Sequence, residues 1–586
     1  MYWITPDAKA AAGQGMARFV VLATFPYDPP GLDDSVLPNE NSTPLPMATR
    51  QKIHPLEVLA LVLAAVAILG GCAWSSSSVI FWLDEILTAL PAGDPSFSHM
   101  LSGLKDELNA MPPLYFVLTW LWAQVAGVSE LSLRLPSAIM GVVGMVGLWS
   151  ALRSFLQRGI ATCCAISLLL LCPEFREHLY EARGYSHYFA GFALAFALYV
   201  RADLQPLSRG ALAWPVVGIH AWLVAIHYVG GLLSGLLVGS ALLSWKLGGN
   251  PIFRRYAVSA MLGWLAFLPS IPFYLAQRRL AGEFNWLPRP SLPTLLQELV
   301  LPIDGLGLLV VGALFLWRMM ERRSIDSQDK SADSATEIPL HLLNCLGAAL
   351  VFVPAVWLES QAGARIFLPR YLYPVVVCWI ALLAWGLARL WEKAHGLPRE
   401  TEPEGATVRT GRVLSPTLGA SALCATLALA ATLALFRHAR RVDFPYNEAQ
   451  AIRAKLREAG AFPELPVVTL GTHEFACLNH YLGSKQRVLL LVDDAIPRQR
   501  GYPIIARNAL ALQRHYTPDQ IITTPGEFFA QQERCLVLAD DAEVEVLKAA
   551  APDGAWTRQP GGEGLWLWER RAHGDDSGGA NGQPRE

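Results

Sequence analysis

The chain has 586 residues, of which 53% are hydrophobic and only 16% are charged. Since charged residues make up about 25% of an ordinary globular domain, the composition excludes a typical soluble enzyme and indicates an integral membrane protein. The net charge of −2 identifies no partner, and we expect no nucleic acid to bind.

Residues 1–54 are predicted to be a disordered segment on the cytoplasmic side. They contain no cleavable signal pattern and no clear helical or strand periodicity. A short basic stretch starts at Met47 and leads into the first apolar run. Translation therefore starts either at Met1 or at Met47.

Residues 55–436 carry repeated apolar runs, each long enough to cross about 30 Å of hydrocarbon. They predict a polytopic α-helical membrane domain with about eleven transmembrane helices. The predicted spans are residues 56–73, 133–152, 159–173, 186–200, 211–226, 229–245, 257–275, 295–317, 338–357, 371–391 and 413–436.

Basic residues mark alternate connections between these spans, and the positive-inside rule places those connections in the cytoplasm. The N-terminus is then cytoplasmic, and the first outer loop covers residues 74–132. The run at 112–126 is only about fifteen residues long and would reverse this orientation if it crossed. It is either an interfacial helix on the outer face or a true span offset by an error elsewhere.

From residue 437 the composition resembles that of a soluble protein. Alternating strand and helix patterns predict an extracytoplasmic α/β domain over residues 437–573, followed by a disordered tail at 574–586. Its strand-end acids, Asp493-Asp494 and Asp540-Asp541, are either a site or, as we prefer, solvated loop residues. Cys477 and Cys535 would be able to pair if this side is oxidising, although their spacing does not require it.

The adjacent acids Asp84 and Glu85 are the strongest functional signal. They follow the first apolar run directly, and a charge held in a bilayer centre costs roughly 2.5–3.5 kcal/mol. Such a pair therefore belongs at an aqueous edge or in a polar cavity. Two adjacent acids bring little structural benefit, so we interpret them as catalytic.

Further polar and aromatic residues fall on the same predicted outer face, where the positive-inside rule gives no reason for arginines. These are Arg134, Glu181, Arg183, Tyr185, His227, Tyr228, Arg370 and Tyr371. Six of them also have a structural alternative. Arg134 and Arg370 would snorkel to the interface, and Glu181 and Arg183 would pair with each other or with Arg176 and Glu177. His227 and Tyr228 would anchor a helix end.

Several motifs occur in an order that resembles GT-C-fold integral membrane glycosyltransferases. They are Phe81-Trp-Leu-Asp-Glu85, Met111-Pro-Pro-Leu-Tyr115, Gly127-Val-Ser-Glu130 with Arg134-Leu-Pro-Ser137, Glu181-Ala-Arg-Gly-Tyr185, and Phe367-Leu-Pro-Arg370-Tyr371. The branch is that of protein O-mannosyltransferases, the lipid A aminoarabinose transferase and related bacterial sugar transferases. The resemblance covers residues 55–390.

This resemblance implies a polyprenyl-phosphate-linked sugar as donor and an active site on the periplasmic face of a bacterial inner membrane. The acceptor is a lipid, a glycan or a protein. No nucleotide-binding glycine loop is visible. The family position makes Asp84 the general base, with Glu85 orienting the acceptor or holding a metal.

The departing phosphate needs cations, and guanidinium groups suit it geometrically. Arg370 is the first choice as its ligand, followed by Arg183 and Arg134. The predicted substrate pocket contains Glu181, Tyr185, His227, Tyr228 and Tyr371. Asp84, Glu85 and His227 offer ligands for a divalent cation, but their spacing forms no recognisable metal motif.

Two other classes of function remain open at this stage. A transporter or a flippase of a lipid-linked glycan would also hold charges at membrane depth, although it usually shows repeated halves, and none is visible here. A non-catalytic scaffold would tolerate replacement of Asp84. Within the enzyme class, transfer of a preassembled glycan is an alternative to transfer of one sugar.

Overall fold

The structure is a computed structural model. It describes residues 53–106, 108–156, 158–204, 213–281, 289–300, 340–363, 365–394, 446–493, 511–551, 554–559 and 564–571. The predicted span at 413–436, most of the N-terminal segment, the tail at 574–586 and Asp494 lie outside these residues.

The membrane region consists of helices throughout its described part. They are α1 (Pro55–Ser78), α2 (Leu83–Ala92), α3 (Phe97–Lys105), α4 (Pro113–Ala126), α5 (Glu130–Leu152), α6 (Arg158–Leu171), α7 (Pro173–Leu179), α8 (Tyr185–Leu204), α9 (Ala213–Ile226), α10 (Gly230–Gly248), α11 (Pro251–Gly263), α12 (Ile271–Ala281), α13 (Leu292–Val300), α14 (Leu340–Ala362), α15 (Pro369–Leu372) and α16 (Val376–Ala394). Short 3₁₀ turns at Trp264–Ser270 and Tyr373–Val375 join α11 to α12 and α15 to α16.

Five helical stretches of the described residues are long and apolar enough to cross a membrane. They are Pro55–Ser78, Glu130–Leu152, Gly230–Gly248, Pro251–Arg278 and Pro369–Ala388. The pair α6 and α7, bent by 77°, makes a sixth if it counts as one span. A multi-pass membrane protein is therefore confirmed, whereas the count of eleven spans stays a prediction.

The uncertain run at 112–126 forms α4, which has 14 residues between Pro112 and Gly127. Proline favours the helix start, and Gly127 ends the helix with a φ of 73°, a backbone angle that glycine adopts without strain. At 1.5 Å per residue this helix is only about 21 Å long. Its length favours the interfacial reading over a complete span.

Helix α5 is the centre of the membrane region, where it packs against α1, α6 and α8. Glycines make these close approaches possible. A Cβ atom on Gly144 would collide with the ring of Phe189, and one on Gly141 would collide with Leu179. The small residues of α5 thereby allow α7 and α8 to pack closely against it, and residues 180–184 connect those two helices.

The described residues of the C-terminal region contain both strands and helices. Its strands are β1 (Val467–Thr469), β2 (Val488–Leu491), β3 (Ile521–Ile522), β4 (Arg534–Leu538), β5 (Gly554–Arg558) and β6 (Leu565–Arg570). Its helices are α17 (Tyr446–Ala459), α18 (Thr472–Leu482), α19 (Pro525–Gln531) and α20 (Asp541–Ala550). Strands β3 and β5 and helix α19 were not predicted.

The six strands form one sheet in the order β3-β2-β1-β4-β6-β5. Strands β1 to β4 are parallel, with Val467 opposite Val488 on one side and Leu536 on the other. Strands β5 and β6 add an antiparallel edge. The β1 and β2 residues are buried, as expected for parallel strands covered on both faces.

Asp540 and the two cysteines of this region contribute to its structure. Asp540 caps α20 by accepting a hydrogen bond from the Glu543 N–H at 2.8 Å, which agrees with the preferred interpretation of that acid as a loop residue. Cys477 and Cys535 are both buried and are not bonded to each other, and they lie in separate hydrophobic clusters. The disulfide that an oxidising side would have allowed is therefore absent between them.

Helix α18 packs on α2 and ties the sheet region to the first loop. The Tyr481 hydroxyl accepts a hydrogen bond from the Phe81 N–H at 2.9 Å and donates one to Glu130 at 2.6 Å. At the other end of α2, Tyr516 donates to Asp94 at 2.9 Å. The α/β region thus holds both ends of the helix that carries Asp84.

We expect Tyr481→Phe to lower the stability of this junction by about 1–3 kcal/mol, because it leaves the Phe81 N–H and the Glu130 carboxylate without their partner. The measurement is the melting temperature of the detergent-purified protein. Lys548→Gln, which removes only an exposed pair with Glu545, is the control. Equal melting temperatures for both variants would contradict this role for Tyr481.

Candidate active site

Asp84 and Glu85 lie in the first turn of α2, which starts after Trp82 in extended conformation. Carboxylates are favoured at this position because the helix N-terminus carries partial positive charge. Adjacent residues on a helix point in directions about 100° apart. The two acids therefore meet different partners, although they are neighbours in sequence.

Glu85 forms a fully buried ion pair with Arg134 of α5. Its Oε1 accepts from Arg134 Nε at 2.7 Å, and its Oε2 accepts from Arg134 Nη2 at 2.6 Å. Oε1 also accepts from the Ala182 N–H at 2.9 Å. Burial raises the pKa of the Glu85 carboxyl, although the Arg134 guanidinium opposes that shift. The pair locks α2, α5 and the α7–α8 connection together.

This geometry corrects two sequence-based assignments. Arg134 also donates to the carbonyl oxygens of Val79 and Ile80, and neither side chain of the pair has exposed surface. Arg134 is therefore not placed to receive a phosphate, and Glu85 is not placed to orient an acceptor or to ligate a metal. Both residues hold the backbone around Asp84 in place.

Asp84 keeps 19% of its side chain exposed and faces two arginines. Its Oδ2 lies 3.4 Å from Arg370 Nη1 and 3.9 Å from Arg183 Nη2. Arg370 comes from α15, and Arg183 comes from the α7–α8 connection. Three separate segments therefore bring one carboxylate and two guanidinium groups together.

Several polar atoms beside Asp84 are buried without a hydrogen-bond partner in the described part of the chain. They are Nε of Arg183, Nε of Arg370 and the hydroxyl of Tyr185. A buried donor without a partner costs about 1–3 kcal/mol. An anion bound among these groups would satisfy them, and guanidinium N–H groups match phosphate oxygens well.

An aromatic cluster surrounds the arginines and contains most of the predicted substrate pocket. The Arg370 guanidinium lies 5.8 Å from the Tyr185 ring centroid and 5.7 Å from that of Tyr371. The His227 ring lies 5.0 Å from Tyr371 and 4.7 Å from Tyr188. Burial lowers the pKa of His227 to about 3, and the nearby arginines add to this shift. His227 is therefore neutral at pH 7.

Glu181 pairs with His178, at 2.7 Å between Oε2 and Nδ1, and not with Arg183 or Arg176 as the structural alternative proposed. The His178 ring lies 4.8 Å from Tyr185. His178 was missed by the sequence analysis, although its position three residues before Glu181 was a visible signal. Together they form a buried imidazole–carboxylate pair beside the aromatic cluster.

Tyr228 points to a different neighbourhood from His227. Its hydroxyl donates to Gln277 Oε1 at 2.8 Å, and its ring contacts Phe267 and Tyr274. Among the described residues, no group of three or more His, Cys, Asp or Glu side chains is placed to hold a metal ion. The proposed trio of Asp84, Glu85 and His227 is therefore not assembled in this conformation.

The chain is similar to known proteins in one segment and in its fold. The family model described as dolichyl-phosphate-mannose-protein mannosyltransferase matches residues 110–183, a segment that ends at Arg183. No curated protein matches the chain.

Among solved structures, ArnT from Cupriavidus metallidurans bound to undecaprenyl phosphate is similar, with a TM-score of 0.56 and 15% identity over 88% of this chain and 98% of that one. The apo state of the same protein gives a TM-score of 0.55, again at 15% identity, over 88% of this chain and 97% of that one. An oligosaccharyltransferase from Archaeoglobus fulgidus reaches 0.45 at 11% identity, over 87% and 73% of the two chains, and that score is too low to support an argument.

The fold is therefore similar to that of ArnT, which agrees with the resemblance that the sequence motifs suggested. The mannosyltransferase family match falls within the predicted catalytic domain and is a local similarity, since it covers residues 110–183 of the 586. Neither comparison supports the transporter or flippase alternative.

Proposed function

We propose that this protein transfers a sugar from a polyprenyl-phosphate donor to an acceptor at the extracytoplasmic face of a bacterial inner membrane. The observation that carries the proposal is the meeting of Asp84 with Arg183 and Arg370. A carboxylate beside two fixed cations matches what the reaction needs. One group must take a proton, and others must hold a departing phosphate.

In this reaction an acceptor hydroxyl or amine attacks the anomeric carbon of the sugar. The bond between that carbon and the phosphate oxygen breaks, and its electron pair stays on the lipid phosphate. Asp84 receives the acceptor proton as general base, which contributes about 10²–10⁴-fold. Arg183 and Arg370 stabilise the charge that develops on the phosphate.

The polyprenyl phosphate is supported by the buried unpartnered donors around Asp84 and by the fold shared with ArnT, whose structure holds undecaprenyl phosphate. The outer orientation follows from the basic connections and the positive-inside rule. With this orientation, the α/β region that packs against α2 is extracytoplasmic, and the acceptor approaches from that side.

We expect Arg370→Lys to weaken binding of undecaprenyl phosphate about tenfold. Lysine keeps the charge but loses the planar fork and its stacking against Tyr185 and Tyr371, a loss of about 1.4 kcal/mol. The measurement is the dissociation constant for undecaprenyl phosphate, from thermal shifts of the purified protein at increasing ligand concentration.

The matched control for this experiment is Arg534→Lys. Arg534 is 54% exposed and pairs with Glu569 in the sheet region, so its replacement should leave the dissociation constant unchanged. Equal affinity of the Arg370→Lys variant and the wild type would remove Arg370 from the phosphate site.

A further inference from the structure

The connection between α3 and α4 contains a buried asparagine that touches the proposed site. Asn109 is 4% exposed, and both ends of its amide group are used. Nδ2 donates to the Leu87 carbonyl of α2 at 2.6 Å, and Oδ1 accepts from Arg183 Nη1 at 2.6 Å. One side chain therefore joins the helix that carries Asp84 to the arginine that faces Asp84.

This contact is the shortest that Arg183 makes. The same Nη1 lies 3.3 Å from the Asp84 carbonyl and 3.5 Å from Thr88 Oγ1, while Nη2 is 3.9 Å from the Asp84 carboxylate. Because Asn109 holds Nη1, the rest of the guanidinium fork stays turned toward Asp84.

Asn109 is in turn held by a glutamine from a membrane helix. Gln277 of α12 is 4% exposed, and its Nε2 lies 2.9 Å from the Asn109 carbonyl. The same nitrogen lies 3.3 Å from the Leu104 carbonyl and 3.5 Å from that of Met111. One amide therefore contacts one carbonyl group in the last turn of α3 and two in the α3–α4 connection.

The other end of Gln277 is fixed as well, because its Oε1 accepts the hydroxyl hydrogen of Tyr228 at 2.8 Å. A buried amide at the end of the apolar stretch Pro251–Arg278 is costly unless its hydrogen bonds are satisfied, and here they are. The result is a continuous chain of contacts through Tyr228, Gln277 and Asn109 to Arg183.

We propose that Asn109 and Gln277 are positioning residues for glycosyl transfer, which set the Arg183 guanidinium against Asp84 and the departing phosphate. This inference rests on the proposed function. A positioning residue that acts at the leaving group changes the rate of transfer more than donor binding, since Arg370 still holds the phosphate.

The test compares Asn109→Leu and Gln277→Leu with the wild type in two measurements. The first is the initial rate of label transfer in membranes whose polyprenyl-phosphate sugars carry ¹⁴C from glucose. The second is the dissociation constant of the purified protein for undecaprenyl phosphate. We expect the rate to fall about 10- to 100-fold, since small misplacements of catalytic groups have effects of this size, and the dissociation constant to change less than about threefold.

Asn344→Leu is the matched control. Asn344 is also a buried asparagine in a polar network of the membrane region, where it donates to Tyr199 and Ser244, and it lies outside the proposed site. The Asn344→Leu variant should transfer label at the wild-type rate. The Tyr228→Phe variant removes only the hydroxyl that holds Gln277. Its rate of label transfer should therefore fall less than that of the Gln277→Leu variant.

A double-mutant cycle separates positioning from a general loss of structure. In an Arg183→Lys background there is no fork for Asn109 to orient, so Asn109→Leu should lower the rate less than about threefold. The positioning role would be overturned if the rate losses from Asn109→Leu and Arg183→Lys were additive. It would also be overturned if the wild type were active and both Asn109→Leu and Gln277→Leu transferred label at its rate. A wild type that transfers no label would instead overturn the proposed function, and this inference with it.

Discussion

Replacing Asp84 with asparagine is expected to lower sugar transfer by about 10²–10⁴-fold, the contribution typical of a general base. The change keeps the size of the side chain and removes its ability to take a proton. Asp84 is partly exposed and only loosely paired with Arg370 and Arg183, so folding should be little affected. The measurement is transfer from a radiolabelled polyprenyl-phosphate sugar pool into membranes, at matched protein levels.

A binding measurement makes this result specific. A neutral asparagine at position 84 no longer competes with the phosphate for the two guanidinium groups. The affinity for undecaprenyl phosphate should therefore stay equal to that of the wild type or rise. Asp541→Asn is the control, because Asp541 is an exposed acid in the first turn of α20. Equal labelling by the wild type and the Asp84→Asn variant would remove Asp84 from the mechanism and favour a scaffold.

The second large effect concerns stability. Arg134→Met should destabilise the protein by about 3–5 kcal/mol, because it leaves the Glu85 carboxylate buried without its partner. The pair has no exposed surface, so water cannot replace the lost contacts. The measurement is the yield and melting temperature of the protein purified in detergent.

The double variant Glu85→Leu with Arg134→Met decides what this pair does. Apolar replacement of both partners of a buried pair is often neutral, so much of the lost stability should return. Arg534→Met, which breaks the exposed pair with Glu569, should cost less than about 1 kcal/mol. A double variant that is stable and transfers sugar would show that Glu85 is structural, whereas a stable but inactive one would restore it to the mechanism.

The sequence predicted the membrane class and the larger elements well, for a simple physical reason. A lipid-facing helix must be apolar along its whole length, so α1, α5 and α10 are visible as continuous runs. The strands β1, β2 and β4 are visible as short apolar segments, because parallel strands are covered on both faces. Short β3, with two residues, gives no such signal.

The separate roles of the two adjacent acids could not be predicted from the sequence. Asp84 and Glu85 are equivalent in the motif, but the turn of α2 sends one toward two arginines and the other toward Arg134. Likewise, three arginines were predicted as phosphate ligands, and only Arg183 and Arg370 face Asp84. Whether an arginine is free or already paired depends on residues distant in the chain, which a single sequence does not reveal.

Asn109 and Gln277 were missed for the same reason. Both are polar residues outside the motifs, and Gln277 lies 168 positions from the Asn109 carbonyl that it holds. The sequence by itself determined that this is a multi-pass membrane protein, and it predicted which residue types supply the chemistry and on which face. Only the tertiary structure decided which of those residues meet, because contacts among α2, α5, α12 and α15 are set by how the helices pack.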